Sequence, residues 1–222
     1  MKCWHKILLI IIFCNSNEIF CQELPISTEN FSANNKFLIL YFSGDGGWNS
    51  FDKKMVGEFK SAEMSYIGLN SFKYFWKAKT PEIVVKDIEP ILQNYLKSWK
   101  KENIILIGYS FGAEIMPFLF TRLPNDLKQK IKLLILITPA KTSDFTIHVN
   151  DMIMLDGNYA FDVSKEIEKI KLTKVLCIFG ERETSIFPKS YKQENLKIEY
   201  QKGGHSFSDS KSVMNFISKE LK

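Results

Sequence analysis

The chain has 222 residues, 45% hydrophobic and 25% charged, which suits one globular domain with a sizeable core and leaves no room for a second full domain. Eighteen Phe, eight Tyr and four Trp exclude the aromatic-poor composition of disordered chains. A formal charge of +5, with Lys scattered rather than clustered, argues against a nucleic-acid partner and permits at most peripheral attraction to an anionic membrane surface.

Residues 1–21 stand apart. Lys2, His5 and Lys6 precede the apolar run 7–13, and polar Asn15, Ser16, Asn17 and Glu18 follow it. That is the order of a secretory signal peptide, and the run is shorter than the ~20 apolar residues that span a membrane. Cleavage before Gln22 is expected, leaving a single domain over residues 22–222 in the periplasm. Cys3, Cys14 and Cys21 lie in the leader, so the mature chain keeps Cys177 and has no internal disulfide. The leader carries two Lys and one Glu, and its loss brings the formal charge from +5 to about +4.

In chain order, a polar lead over 27–35 gives way to apolar runs at 37–42, 66–69, 104–107, 133–137, 175–179 and 198–200, which read as strands. Most are continuously apolar, as strands buried on both faces of a parallel sheet are. Segments 51–62, 81–100, 111–123 and 209–221 carry apolar residues at helical spacing, and Thr80-Pro81 makes a capped helix start. Strands alternating with helices predict a mostly parallel sheet with helices on both faces.

Gly108-Tyr109-Ser110-Phe111-Gly112 follows the apolar strand 104–107 and opens the amphipathic segment that starts at Phe111. A Gly-x-Ser-x-Gly sequence between strand and helix puts the serine on a sharp turn, and the flanking glycines let strand and helix approach without Cβ clashes. Ser110 is the expected nucleophile. A serine needs a base, and the mature chain has two histidines. His148 sits in the alternating run 145–149 and reads as a structural or surface residue on a sheet face. His205 follows Gly203-Gly204 between the last strand and the last helix, in the chain order that such hydrolases require, and is taken as the base. The orienting carboxylate should lie after the strand 175–179, where Glu183 is preferred and Glu181 is the alternative. Oxyanion donors are expected from the Phe111 amide and from the glycine-rich loop 43–48, with Gly44, Asp45 and Gly46 as candidates. That loop lacks the Gly-Lys-Ser/Thr ending of a phosphate-binding P-loop. No cofactor and no metal are expected.

Ser43-Gly44-Asp45-Gly46-Gly47-Trp48, Phe72-Lys73-Tyr74-Phe75-Trp76, Thr80-Pro81-Glu82, Gly108-Tyr109-Ser110-Phe111-Gly112-Ala113 and Gly203-Gly204-His205 occur in that order over nearly the whole mature chain. Together they resemble the bacterial virulence protein VirJ family, in its short single-domain form. The resemblance implies an α/β-hydrolase-like three-layer sandwich with a mostly parallel central sheet, export to the periplasm, and Ser110, His205 and Glu183 as the catalytic set. The family includes AcvB proteins, hydrolases of aminoacylated phosphatidylglycerol, which implies an aminoacyl lipid ester as substrate. The sequence departs from the family where a second histidine, a second acid and a cysteine are usual and Ser206, Ser185 and Pro188 stand instead.

An aminoacyl ester carries a free amine, so Asp45 and Glu114 are candidate substrate contacts. The aromatic cluster Tyr74, Phe75 and Trp76 reads first as packing, with Trp76 a candidate pocket wall. A general esterase or thioesterase, and a secretion-associated binding protein on the same fold, are the alternative readings.

Overall fold

Strands that are apolar on both faces require cover on both, and the observed sheet has it. The structure is a computed structural model that describes residues 24–31, 35–148, 159–183, 185–187, 191–205 and 210–220. The expected leader and its cleavage site lie outside the described residues. Seven strands form the central sheet: β1 (Ile26–Glu29), β2 (Phe37–Phe42), β3 (Ser65–Leu69), β4 (Asn103–Tyr109), β5 (Ile131–Ile137), β8 (Lys174–Gly180) and β9 (Leu196–Gln201). Their order is β1-β3-β2-β4-β5-β8-β9. Every neighbouring pair is parallel except β1 with β3.

Alternate residues of each strand feed two cores. Leu38, Leu40 and Phe42 of β2 point to the face covered by α3 (Pro81–Ser98), α4 (Phe111–Arg122) and α6 (Val163–Glu168). Ile39 and Tyr41 point to the other, covered by α1 (Ser50–Ser61) and α7 (Ser210–Glu220). Helix α3 shows the pattern most plainly, burying Val84, Ile88, Leu92 and Leu96 at four-residue spacing behind its Thr80 cap. The remaining elements are short: α2 (Ser71–Tyr74), α5 (Asn125–Lys130), and the two-residue strands β6 (Thr142–Ser143) and β7 (Phe161–Asp162).

Two sequence expectations change. The polar lead contains β1, which pairs antiparallel at the sheet edge, where one side of the strand needs no apolar cover. The alternating run around His148 forms no strand among its described residues; it leaves β6 as irregular chain and runs over the sheet's carboxyl edge.

Helix α4 is nearly enclosed, and its first turn lies against the end of β2. A Cβ on Gly112 would stand 2.4 Å from the Phe42 carbonyl oxygen and 2.6 Å from that of Ser43. Because both are backbone atoms of central elements, the clash cannot be relieved by a rotamer change. Gly112→Ala should lower the unfolding free energy by about 1–3 kcal/mol in a urea titration followed by far-UV circular dichroism. An unchanged midpoint would show that α4 has room to retreat.

Candidate active site

Chain ends of parallel strands all open at the same edge, and there the structure gathers the loops after β2, β4, β5, β8 and β9. Ser110 occupies the turn between β4 and α4 with φ 50° and ψ −120°, a conformation that L-residues avoid unless the surroundings impose it. The surroundings do so. The Ser110 amide donates to the Ile137 carbonyl of β5 at 2.8 Å, and the Ser110 carbonyl accepts from Ala113 and Glu114 as α4 begins. Gly108 completes the clamp, since a Cβ there would stand 2.4 Å from the Gly112 carbonyl oxygen. The hydroxyl is consequently presented at the sheet edge, half-buried.

Ser110 Oγ lies 2.9 Å from His205 Nε2, and His205 Nδ1 lies 2.8 Å from Glu183 Oε1. A carboxylate only accepts, so Nδ1 carries the proton and the Nε2 lone pair faces the serine hydroxyl. The second Glu183 oxygen accepts from the Gly180 amide at 2.7 Å, which fixes the carboxylate's orientation. Loops after β8 and β9 are stitched together by Glu181 N–H to the Gln201 carbonyl and Arg182 N–H to the Gly203 carbonyl. Gly180 permits that closeness, because a Cβ there would stand 2.4 Å from the Gly204 oxygen. Glu181, the alternative acid, is exposed and forms no bond to His205.

The loop after β2 is narrower in its options than its sequence suggested. Gly44 N–H donates to Asp52 Oδ1 at 3.3 Å and Gly46 N–H to Asp45 Oδ1 at 2.9 Å, so both amides already have carboxylate partners. Asp45 N–H has no partner among the described residues, and neither has the Phe111 amide at the open start of α4. Asp45 and Phe111 both line the cavity beside Ser110. Asp52, which the sequence reading missed, holds this loop. It sits at the third position of α1 in a capping box with Asn49, and also accepts from the Tyr41 hydroxyl at 2.7 Å. Burial raises its pKa to about 6, with the Tyr41, Gly44 and Asn49 donors pulling the other way. The Asn49-x-x-Asp52 spacing was the available signal.

The cavity at Ser110 is about 90 Å³ and is also lined by Glu114, Ser143, Asp144, His148, Tyr159 and His205. A larger groove of about 1060 Å³ opens near the starts of β2, β4, β5 and β8 and is rich in lysine; it contains neither Ser110 nor His205. Glu114, one turn beyond Ser110, is 9% exposed. Burial raises its pKa to about 7, opposed by the Ala140 amide and by His205 and reinforced by the negative charge of Asp45. Ser143 also draws Glu114 down, yet its Oγ stops short of hydrogen-bonding geometry with any described group.

Two placements correct the sequence reading. His148 belongs to the cavity rather than to a sheet face: it pairs with Asp144 and stacks on Tyr159 with ring centroids 5.3 Å apart. Trp76 does not wall the cavity; it is 58% exposed, its ring 5.2 Å from Phe72. Tyr74 and Phe75 are buried packing, Phe75 edge-on to Phe111 at 5.1 Å. Among the described residues no group of three or more His, Cys, Asp or Glu is placed to hold a metal ion.

The profile of the family described as bacterial virulence protein (VirJ) matches residues 36–222. The chain belongs to the VirJ family. No curated protein sequence matches it. Among solved structures, Est1E from Butyrivibrio proteoclasticus is similar with a TM-score of 0.61 at 12% identity, over 88% of this chain and 93% of that one. The Exiguobacterium antarcticum esterase gives 0.60 at 12% identity, over 89% and 95%. The Pyrococcus furiosus esterase gives 0.58 at 13% identity, over 88% and 90%. These likenesses place the VirJ chain in the α/β-hydrolase fold.

Glu114 also makes stability depend on pH in a definite direction. Its folded pKa of about 7 lies above the ordinary 4.5, so the folded state holds the proton more tightly and stability falls as pH rises from 4.5 to 7. The loss is complete above pH 7 and amounts to up to about 3 kcal/mol. Glu114→Gln should therefore raise the thermal midpoint relative to wild type at pH 8 and change it far less at pH 5, read by differential scanning calorimetry.

Proposed function

We propose that this VirJ-family protein is an exported serine hydrolase that cleaves a carboxylic ester. The observation that carries the reading is the unbroken line Ser110–His205–Glu183, with Phe111 and Asp45, whose amides have no partner among the described residues, lining the same cavity. The roles follow from the atoms. As Ser110 Oγ attacks the ester carbonyl, His205 Nε2 takes its proton, and Glu183 stabilises the imidazolium through Nδ1–H. The developing oxyanion takes hydrogen bonds from the Phe111 and Asp45 amides. Collapse expels the alcohol, which receives the proton from His205, and water attacks the acyl-serine by the same base to release the acid.

For the substrate, we favour the aminoacyl ester of aminoacylated phosphatidylglycerol. Membership of the VirJ family supports it, and so does the presence of Asp45, Glu114 and Asp144 around one small cavity, which suits an acyl group carrying an amine. The same reading puts the protein in the periplasm, delivered by its N-terminal leader, with peripheral membrane contact.

Release of free lysine from lysyl-phosphatidylglycerol vesicles tests this directly. The purified protein should release lysine, and Ser110→Ala should lose activity by a factor on the order of 10⁴ or more while its circular dichroism stays unchanged. Serine-dependent turnover of a simple p-nitrophenyl ester alone would keep the hydrolase and discard the lipid. No serine-dependent turnover of either would overturn the hydrolase reading.

A further inference from the structure

The cavity beside the nucleophile contains polar capacity that the reaction as written does not use. Glu114 is more than nine-tenths buried on the cavity wall, where the Ala140 amide is its one backbone donor. Ser143, on the short strand β6 opposite, is 1% exposed, and its hydroxyl oxygen has no hydrogen-bond partner among the described groups. Both residues line the same space as Ser110 and His205. A buried carboxyl with few donors keeps spare acceptor sites, a buried hydroxyl without a partner is costly, and both can accept N–H donors from one group placed beside them.

Size decides which part of a substrate can supply it. The cavity is small, about 90 Å³ and open to solvent, so the part of an acyl group it meets beside Ser110 is the substituent next to the carbonyl carbon. Asp144, His148 and Tyr159 line the same cavity.

We propose that Glu114 and Ser143 form a subsite that binds an ammonium group on the α-carbon of the acyl moiety, so that the enzyme selects α-aminoacyl esters and leaves the amino-acid side chain outside the subsite. The proposal rests on the hydrolase reading above. The ammonium supplies the counter-charge that Glu114 lacks and donates a second N–H to Ser143 Oγ, which draws the carbonyl toward Ser110 in one orientation. Asp45 contributes its backbone amide to the oxyanion, and its half-exposed carboxylate, which accepts from the Gly46 amide through Oδ1, adds longer-range attraction to the amine.

Three methyl esters on one six-carbon skeleton test it: L-norleucine methyl ester with an α-amine, methyl 6-aminohexanoate with a remote amine, and methyl hexanoate with none. The wild-type protein should favour the norleucine ester over methyl hexanoate by at least about tenfold in kcat/KM, and should treat the remote amine like no amine. Glu114→Gln should shrink that preference by about 10- to 100-fold, the range of a charge-assisted hydrogen bond, and Ser143→Ala by a few-fold. The ratio within each variant is the readout, so a general loss of activity does not imitate the result, and Ser143→Ala keeps the test open should Glu114→Gln fold poorly. An undiminished preference in both variants, or a preference for the remote amine, would overturn the subsite. Ser110-dependent turnover of methyl hexanoate without preference for the α-amine would overturn it while leaving the hydrolase standing. Absence of Ser110-dependent turnover of all three would overturn both.

Discussion

The contact on which the site depends is backbone against backbone: the first turn of α4 pressed onto the end of β2, with Gly112 beneath the Phe42 and Ser43 carbonyls. Because α4 cannot retreat, Ser110 must turn the chain within one residue, and it does so at positive φ with its amide anchored to β5. Backbone strain of this kind costs about 1–3 kcal/mol and persists only where the neighbouring structure imposes it. Here the imposing structure is the whole α4 face, where Phe111, Ile115, Phe118 and Leu119 are buried against the sheet and its covering helices. The same contact determines three functional positions at once. It exposes the Ser110 hydroxyl, leaves the Phe111 amide at the unpaired start of a helix, and sets Glu114 one turn further along the cavity wall.

His205 and Glu183, the proposed base and acid, are held by a separate device at the other side of the site. His205 and Glu183 come from loops that would be independent, were β8 and β9 not extended past the sheet by the hydrogen bonds of Glu181 and Arg182. This explains why the carboxylate that meets His205 comes from the third residue after Gly180. Glu183 N–H bonds back to the Gly180 carbonyl while the side chain returns to the Gly180 amide, so the turn and the carboxylate fix one another. Two supports that share no hydrogen bond therefore meet at the 2.9 Å contact between Ser110 and His205.

Much of this was legible in the sequence, and what was not has physical causes. The sheet was readable because strands covered on both faces leave continuous apolar runs, and the turn at Ser110 because only glycine fits on both sides of it. The edge strand β1 was not, since Ser27 and Glu29 give it no apolar run and it is recruited by pairing with β3. Glu183 and Glu181 could be ranked but not separated, because their difference is the curvature of a turn that depends on β9, thirteen or more residues further along the chain. The oxyanion loop offered three amides in sequence. Choosing among them required knowing that Asp52, eight residues on, takes the one from Gly44. The run around His148 reads as a strand because its five residues alternate, whereas its described residues, 145–148, pair with no strand.

Two carboxyls near the site are raised by burial, and comparing them shows why they belong to different parts of the machine. Asp52 is fully buried, yet the Tyr41 hydroxyl and the Gly44 and Asn49 amides fill its lone pairs, so its desolvation is offset within the protein and its place is structural. Glu114 is buried to nearly the same degree, and among the described residues it has one backbone amide to offset it and, for a neighbour, a hydroxyl without a hydrogen-bond partner. A protein interior tolerates such a deficit where something outside the chain supplies the missing donor. The deficit is placed one helical turn from Ser110, the proposed nucleophile, on a helix packed closely against β2, which is where a substrate's own hydrogen-bond donor would be held in fixed relation to the carbonyl under attack.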